Sequence, residues 1–374
     1  MKCTCLKGLL FSSFLLALCL SVVSTGYSQD KPVFAPLIEK DTKLIARIDI
    51  NQIDLSVVTK KVSEVVNPFI DSLVEKKEER DRAKMSVPLF VGMLTGQYAG
   101  VVESLKTAGV QELYIVTGLE EKGMSNTYVA VPVGSKSKDD LKKIREAFAT
   151  FKDMNINLRF PFVRHGFVIA PYIDPEQDDD DAIKSYIKQR FMELNTVADP
   201  GFAKNMDSVQ GKTLVITSVL NDSGTNEILS GLSELGQNPM VAQGGDVAKK
   251  SAELGQKFLE KAVKCVSAVT YTFDLNQLAY TINLHMKSAS DIETLKKEFA
   301  ALSDSAIKDT VDKDLADGTK KLMESLAPVT EGDTLQWKID PAWIAANRDF
   351  IIKAIQKAQA EMSKAGATAP ADSM

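Results

Sequence analysis

The chain has 374 residues, of which 44% are hydrophobic and 25% are charged, a composition typical of a folded globular protein. This length predicts two domains or more and a core large enough to fold without disulfide bonds. The formal net charge is −5 with the histidines neutral, which argues against nucleic acid or an anionic membrane surface as the partner.

Residues 1–28 have the features of a secretory signal peptide. Lys2 and Lys7 provide a positive start, an apolar segment covers 8–23, and small or polar residues follow at 24–28. The apolar segment is shorter than the roughly 20 residues that a membrane span requires. We therefore expect cleavage after Ser28, no stable membrane span afterwards, and a periplasmic or secreted protein. Retention of the leader as an anchor is the alternative.

The sequence offers little for metal or nucleophilic chemistry. Three of the four cysteines lie in the leader, so only Cys265 remains, and we predict that it is a small buried residue. The sequence has two histidines, His165 and His285. They are too few for the common zinc sites, and neither accompanies a nucleophile motif. No phosphate-binding loop is complete. We predict no cofactor and no catalytic residue, although paired carboxylates remain possible in a chain with 50 acidic residues.

Predicted strands and helices occur twice in the same order along the chain. In the first part, strands are predicted at 44–50, 112–119, 127–133, 156–163 and 167–173, with a helix capped by Asp54, a charged helical stretch at 75–84 and a helix at 138–150. In the second part, strands are predicted at 213–220, 265–273, 278–286 and 333–339, and helices at 225–235, 246–262, 290–302, 315–326 and 341–363.

Three aligned blocks in the same order indicate an internal duplication. The first pairs KLIARIDIN at 43–51 with KTLVITSVLN at 212–221. GFVIAPYIDP at 166–175 matches GDTLQWKIDP at 332–341, and VAVPVGSKSKDDLKKIREAFA at 129–149 matches YTINLHMKSASDIETLKKEFA at 280–300. The shared order is that of the ferredoxin-like βαββαβ unit. We therefore predict an α+β fold of two tandem ferredoxin-like units, 29–205 and 206–363, with antiparallel sheets and helices mainly on one face. A disordered tail is predicted at 364–374.

The stretch IDPEQDDDDAIK at 173–184 contains four consecutive acidic residues. Their spacing does not fit a calcium-binding loop, which alternates acids around a glycine. A helix start fits better, with Asp174 as the N-cap, Pro175 in the first turn and Gln177 completing a capping box. The matching segment, from Asp340, keeps the Asp-Pro pair and lacks the acidic run. A weak cation contact at Asp178, Asp179, Asp180 and Asp181 is the alternative.

Gly92, Gly96 and Gly100 are spaced by four residues in VGMLTGQYAG and would form one small-residue face on a helix. Glu103 and Lys106 argue against a membrane span there. We expect close packing of this face inside the chain. The alternatives are a homodimer or protein-partner contact through the glycine face, or a groove for an apolar ligand.

The leader, the opening strand LIARIDINQIDL and the segment KSASDIETLKKEFA resemble uncharacterised exported α+β proteins of planctomycete-type bacteria. The resemblance covers most of the chain and implies no known activity. The leading hypothesis is an exported, non-enzymatic interaction or structural protein. The alternatives are a carrier of a lipid or other apolar ligand and a secreted carboxylate-based hydrolase.

Overall fold

The computed structural model describes residues 34–39, 42–118, 126–133, 137–154, 156–174, 177, 179–192, 200–206, 211–220, 225, 229, 245–309 and 313–367. The predicted signal peptide and most of the predicted helix at 225–235 lie outside these residues. The last described helix continues to Ala367, so the start of the predicted tail at 364 is helical.

The described residues contain ten strands, all in one continuous antiparallel sheet. They are β1 Thr42–Asp49, β2 Glu112–Gly118, β3 Thr127–Pro132, β4 Phe162–Arg164, β5 Phe167–Pro171, β6 Leu214–Val219, β7 Val266–Asp274, β8 Ala279–Met286, β9 Val329–Glu331 and β10 Thr334–Ile339. Their order across the sheet is β4-β5-β3-β2-β1-β6-β7-β8-β10-β9. The predicted α+β class is therefore confirmed.

Nine α-helices lie among the described residues. They are α1 Leu55–Leu73, α2 Lys77–Thr107, α3 Lys138–Ala149, α4 Asp180–Met192, α5 Pro200–Met206, α6 Gly245–Cys265, α7 Ala289–Asp309, α8 Lys313–Ser325 and α9 Pro341–Ala367. Short 3-10 helices cover Ala35–Leu37, Ile50–Gln52 and Thr150–Met154. Helix starts follow local capping: the Asp54 carboxylate accepts from two backbone N–H groups of α1, and Ser137 forms a capping box with Asp140 in α3.

The tandem ferredoxin-like arrangement is not confirmed. Each half contributes five strands rather than four, and the first two strands of each half are direct neighbours, β1 with β2 and β6 with β7. The two halves are joined by antiparallel pairing of β1 with β6, with Ala46 opposite Ile216. This pairing removes an open edge from both halves, which is why one sheet forms instead of two.

Helices cover both faces of the first half, whereas we expected them mainly on one face. Tyr128 and Ala130 of β3 belong to a core cluster that includes residues of α4 and α5, while Val129 and Val131 belong to a cluster that includes residues of α2 and α3. Successive strand residues point to opposite faces. The physical reason is that β5 is buried at all five of its residues, so it needs cover on both sides.

The second half has an apolar face and a polar face. Its apolar cluster contains Leu335 and Trp337 of β10 with residues of α6 and α7. On the other face, the hydroxyls of Thr217 and Thr270 lie 2.6 Å apart and both residues are fully buried. Buried hydroxyls of this kind require a hydrogen bond, and here they satisfy each other.

Candidate functional site

The acidic run forms the start of α4. The Asp179 carboxylate accepts hydrogen bonds from the backbone N–H groups of Asp181 and Ala182, both at 3.0 Å, and the helix begins at Asp180. Asp179 is therefore the N-cap, and the prediction of Asp174 as the cap is wrong. The chain turns once before the helix begins, with the Gln177 N–H donating to the Asp174 carbonyl at 2.9 Å.

The next two aspartates form ion pairs rather than pointing at a common centre. Asp180 pairs with Arg159, and Asp181 pairs with Lys184 at 3.3 Å, one turn along the helix. Asp178 lies outside the described residues. Among the described side chains, no group of three or more His, Cys, Asp or Glu residues is placed to hold a metal ion. The described aspartates cap the start of α4 and pair it with Arg159, which lies in the segment before β4.

The second Asp-Pro pair behaves as predicted. The Asp340 carboxylate accepts from the backbone N–H of Trp343 at 2.9 Å, and α9 begins at Pro341. A hydrogen bond from the Lys338 ammonium group, together with this N–H, holds the pKa of Asp340 below its ordinary value. The Trp343 indole N–H donates to the Ser325 carbonyl at 3.2 Å, which ties α9 to α8.

The histidines and the cysteine do not form a cluster. His165 is exposed in the turn between β4 and β5, with a φ of 49°, whereas His285 is buried in β8 and its Nδ1 lies 2.9 Å from the Thr334 hydroxyl. Cys265 is buried at the end of α6, as predicted, and this burial raises the pKa of its thiol. A thiol of this kind is a poor nucleophile at neutral pH.

The most unusual surface is one side of α2. Six large apolar side chains are exposed there within fourteen residues, and we call this set the α2 face. Its members are Met85, Leu89, Phe90, Met93, Leu94 and Tyr98. The exposed fractions reach 72% at Met85, 74% at Leu89 and 61% at Met93, so most of the surface of these three residues is open to solvent. An isolated exposed leucine needs no explanation, but a continuous group of this size marks a contact surface.

The α2 face runs in two rows along the helix, because residues four apart lie above one another. Met85, Leu89 and Met93 form one row, and Phe90, Leu94 and Tyr98 form the next. Further along the helix, the buried Val101 and Leu105 attach the C-terminal part of α2 to the sheet. The sequence alone showed that this segment was apolar, but only the structure shows which residues remain uncovered.

A third row, beside the row that begins at Met85, consists of the three glycines singled out in the sequence: Gly92, Gly96 and Gly100. A Cβ atom added at Gly92, Gly96 or Gly100 would meet no atom of the described residues within 4 Å. The expectation that this row packs closely against the sheet or a neighbouring helix of the same chain is therefore wrong. The physical reason is that α1 and the sheet contact other sides of α2. Among the described residues nothing covers the glycine row, so both alternatives, a homodimer or partner contact and a groove for an apolar ligand, remain predictions.

Within the described residues, no single helix meets the length and hydropathy criteria for a membrane span. Two segments of α2, Lys77–Gly96 and Tyr98–Thr107, meet them only when taken together, and they are bent by 53° with respect to each other.

A second surface of interest is a cleft of about 450 Å³ between β4 and α4. Apolar side chains line it together with three basic ones: Phe160, Phe162, Val163, Ile187, Arg164, Lys184 and Lys188. The Lys184 ammonium nitrogen lies 5.5 Å from the centre of the Phe160 ring, within the range of a cation–π contact. The volume is in the range of small-molecule sites, roughly 300–1,000 Å³.

Comparisons with known proteins give no information about function. No protein-family model matches the chain, and no curated protein matches it. One solved structure, crystal form I of TP0453, is similar over 86% of this chain and 98% of that chain, with 9% sequence identity and a TM-score of 0.32. This similarity is too low to support any statement about function.

Proposed function

We propose that this chain is an exported, non-enzymatic interaction protein, and that the α2 face is the surface through which it binds. The observation that carries the proposal is the exposure of six large apolar side chains next to an uncovered glycine row. The sheet and the other helices would then serve as the scaffold that holds α2 in place.

The size of the α2 face supports this proposal. Each of the six large side chains has a surface of roughly 200 Å², and on average a little over half of it is exposed. The face therefore exposes on the order of 600 Å². The largest apolar patch of a typical monomer measures about 300–600 Å², and each partner in a standard interface contributes about 800 Å². The face is therefore at the upper limit for a monomer surface and close to what one partner of a stable complex provides.

We also propose that the scaffold arose by duplication. The strand order within the first half is first-second-third-fifth-fourth, and the second half has the same order. In both halves, a helix of similar position follows the third strand, α3 in one and α7 in the other. Together with the aligned segments at 129–149 and 280–300, these observations support two copies of one five-stranded unit.

The proposed function can be tested by photo-cross-linking in cells that export the protein. A photoreactive amino acid placed at Leu89 should give a discrete cross-linked species. The matched control is the same amino acid at Leu259, a leucine of α6 that is 44% exposed and lies outside the α2 face. No product at Leu89, or the same products at both positions, would show that the face is not a binding surface.

A second candidate function, carriage of an amphiphilic ligand with a negative head group, is favoured by the cleft between β4 and α4. Its apolar side chains suit an alkyl chain, and Lys184 and Lys188 suit a carboxylate. Titration with a fluorescent fatty acid should then show saturable binding that K184E/K188E weakens at least tenfold. Lys142, an exposed lysine of α3, provides the control variant K142E. Equal binding by all three proteins would reject this function.

No observation favours the carboxylate-based hydrolase, because the charged residues lining this cleft are basic.

A further inference from the structure

We propose that the cleft between β4 and α4 holds its ligand in one direction: an anionic oxygen head group lies between Arg164 and Lys188, and the apolar tail lies toward Phe160. In this arrangement His165 is the positioning residue that directs Arg164. This inference rests on the second candidate function, carriage of an amphiphilic ligand, and names the residues that select the head group.

Helix α4 starts beside the segment that precedes β4. Asp180, the first residue of α4, pairs with Arg159. One turn later, the Lys184 ammonium nitrogen lies 5.5 Å from the centre of the Phe160 ring. The start of α4 and the start of β4 therefore lie at the same end of the cleft.

The next turn of α4 lies further along β4. From Lys184, one turn of helix rises about 6 Å to Lys188. Along the strand, the two residues from Phe160 to Phe162 cover about 7 Å in the direction of Arg164. Since Lys188 and Arg164 both line the cleft, they come from its two walls toward the same end.

The two lysines of the cleft differ in their surroundings. Lys184 pairs with Asp181 at 3.3 Å and lies over the Phe160 ring, so its charge is partly offset. Lys188 pairs with no carboxylate of the described residues. Lys188 is therefore the lysine whose charge is available to a head group, whereas Lys184 borders the tail.

Arg164 is directed by its neighbour in the turn. The Arg164 Nε–H donates to His165 Nε2 at 3.0 Å, and this bond fixes the direction of the guanidinium group at the cleft. A guanidinium group binds the oxygens of a carboxylate or a phosphate with paired hydrogen bonds, which requires a defined orientation. An anionic oxygen head group at this end of the cleft is therefore bound from both walls.

The backbone on both sides of β4 has an uncommon conformation. Three non-glycine residues of the described chain are left-handed, and two of them, Phe160 with a φ of 51° and His165 with a φ of 49°, flank this strand. Such residues cluster at active sites and ligand sites. The two-residue turn at His165 and Gly166 favours Asn-Gly or Gly-Gly, and the exposed His165 adds nothing to the core. The contact with Arg164 gives this histidine a role that the turn does not require.

The rest of the cleft lining is apolar. It consists of Phe160, Phe162, Val163 and Ile187, and both phenylalanines also pack against the core. Such side chains suit an alkyl chain and offer no hydrogen bond to a polar group. A ligand whose head group lies at Arg164 therefore extends its tail past Phe162 toward Phe160.

The test is calorimetric titration of the purified chain with three probes of equal chain length: octanoate, octyl phosphate and octanol. We expect an anionic probe to bind about tenfold more tightly than octanol, and the tighter anion identifies the head group as a carboxylate or a phosphate. R164Q and K188Q should each remove most of this preference and leave octanol binding unchanged. The matched control is K184Q, one turn earlier on the same helix, which should keep the preference.

The role of His165 is tested by H165G. Glycine adopts a left-handed φ without strain and has no side chain to accept from Arg164. H165G should therefore keep or raise the melting temperature and still lose the preference for the anionic probe, as R164Q does. The control is L278G, because Leu278 has the same left-handed backbone, with a φ of 50°, in the turn between β7 and β8. A lower melting temperature in H165G with equal weakening of all three probes would overturn the positioning role.

The outcomes separate this inference from the second candidate function. Saturable anion binding that K184Q weakens as much as K188Q, or that R164Q leaves unchanged, overturns the proposed direction and leaves carriage of an anionic amphiphile intact. Inorganic phosphate that binds as tightly as octyl phosphate shows that the tail makes no contact, which overturns both. The absence of binding by every probe also overturns both.

Discussion

The glycines of α2 lower the stability of the helix that contains them. A glycine inside a helix costs roughly 0.5–1 kcal/mol relative to alanine, because the unfolded chain loses more conformational freedom. Close packing would normally explain such a residue, but Gly92, Gly96 and Gly100 have no neighbour within 4 Å of an added Cβ. Among the described residues no packing contact therefore compensates this cost, which agrees with the proposed role of this side of α2 in an external contact.

This reasoning predicts that G92A and G96A each stabilise the isolated chain by about 0.5–1 kcal/mol. The measurement is urea unfolding of the purified chain at low protein concentration. Gly318 of α8 is the matched control, since a Cβ there would collide with the ring of Phe350. We expect G318A to destabilise the chain by about 1–3 kcal/mol. A loss of stability in G92A and G96A would mean that these glycines pack inside the chain after all.

Asp340 predicts a pH dependence. The hydrogen bonds from Lys338 and from the Trp343 N–H favour the carboxylate and lower its pKa from the ordinary value of 3.8. Its contribution to stability is therefore complete above that value and is lost as the pH falls through the lower pKa of the folded state. D340N should lower the melting temperature at neutral pH, and the difference from wild type should shrink at pH values below 3.8. D349N, which changes an exposed carboxylate of the same helix, should show no such convergence.

At the level of single elements, the sequence located most strands and helices correctly. Runs of apolar and β-branched residues bounded by turns placed β2, β3, β7, β8 and β10 within two residues of their observed limits. Burial on both faces of β3 did not prevent this. The sequence pattern missed β9, whose three residues are all exposed and carry no burial pattern. It also extended the fourth strand too far upstream, where Phe160 has a φ of 51°.

The start of α4 shows why helix limits are harder to predict than helices. The pattern Asp-Pro followed by a glutamine fits a cap at Asp174, and it also fits a turn that precedes the true cap at Asp179. Local sequence preferences favoured the cap at Asp174. In the structure the cap is Asp179, and the next residue, Asp180, forms an ion pair with Arg159. Such a contact joins residues distant in sequence, and no local pattern contains it.

The cap assignment predicts different effects for two nearby aspartates. D179A should destabilise the protein by about 1 kcal/mol, because two N–H groups at the start of α4 lose their acceptor. D181A should have a much smaller effect, since the Asp181 carboxylate caps no N–H group and its ion pair with Lys184 is exposed to solvent. Thermal unfolding of both variants is sufficient, and an equal loss in both would contradict the assignment.

Only part of the candidate site could be predicted from the sequence. The glycine spacing drew attention to the row of α2 that lies beside the exposed apolar residues, but the interpretation that favoured internal packing was wrong. Whether an apolar residue is exposed depends on which elements cover it, and α2 is contacted by α1, by α3 and by the sheet on sides that the helix pattern does not reveal. The exposure of Met85, Leu89 and Met93 could not be derived from their spacing.

For the whole molecule, the joint between β1 and β6 predicts that the halves depend on each other. Five registered pairs join the two strands, and the Asp49 N–H also donates to the Thr213 carbonyl at 2.9 Å. Expressed alone, residues 29–205 expose the free edge of β1 and should aggregate or remain partly unfolded. Co-expression with residues 206–374 should recover soluble protein, and co-purification of the two fragments is the measurement. A soluble, cooperatively unfolding first fragment would instead support two independent domains.

The same joint has a consequence for the order in which the chain can fold. The residues of β1 pair on one side with β2 and on the other with β6, so Ile48 meets Leu113 early and Leu214 only after the whole first half has been made. A chain that emerges from its N-terminus must therefore hold an unpaired, largely apolar strand edge while the second half follows. Unpaired edges of this kind are the sites at which partly folded chains associate wrongly. The interval between synthesis of β1 and of β6 is thus the period in which wrong strand pairing is most easily formed at this edge.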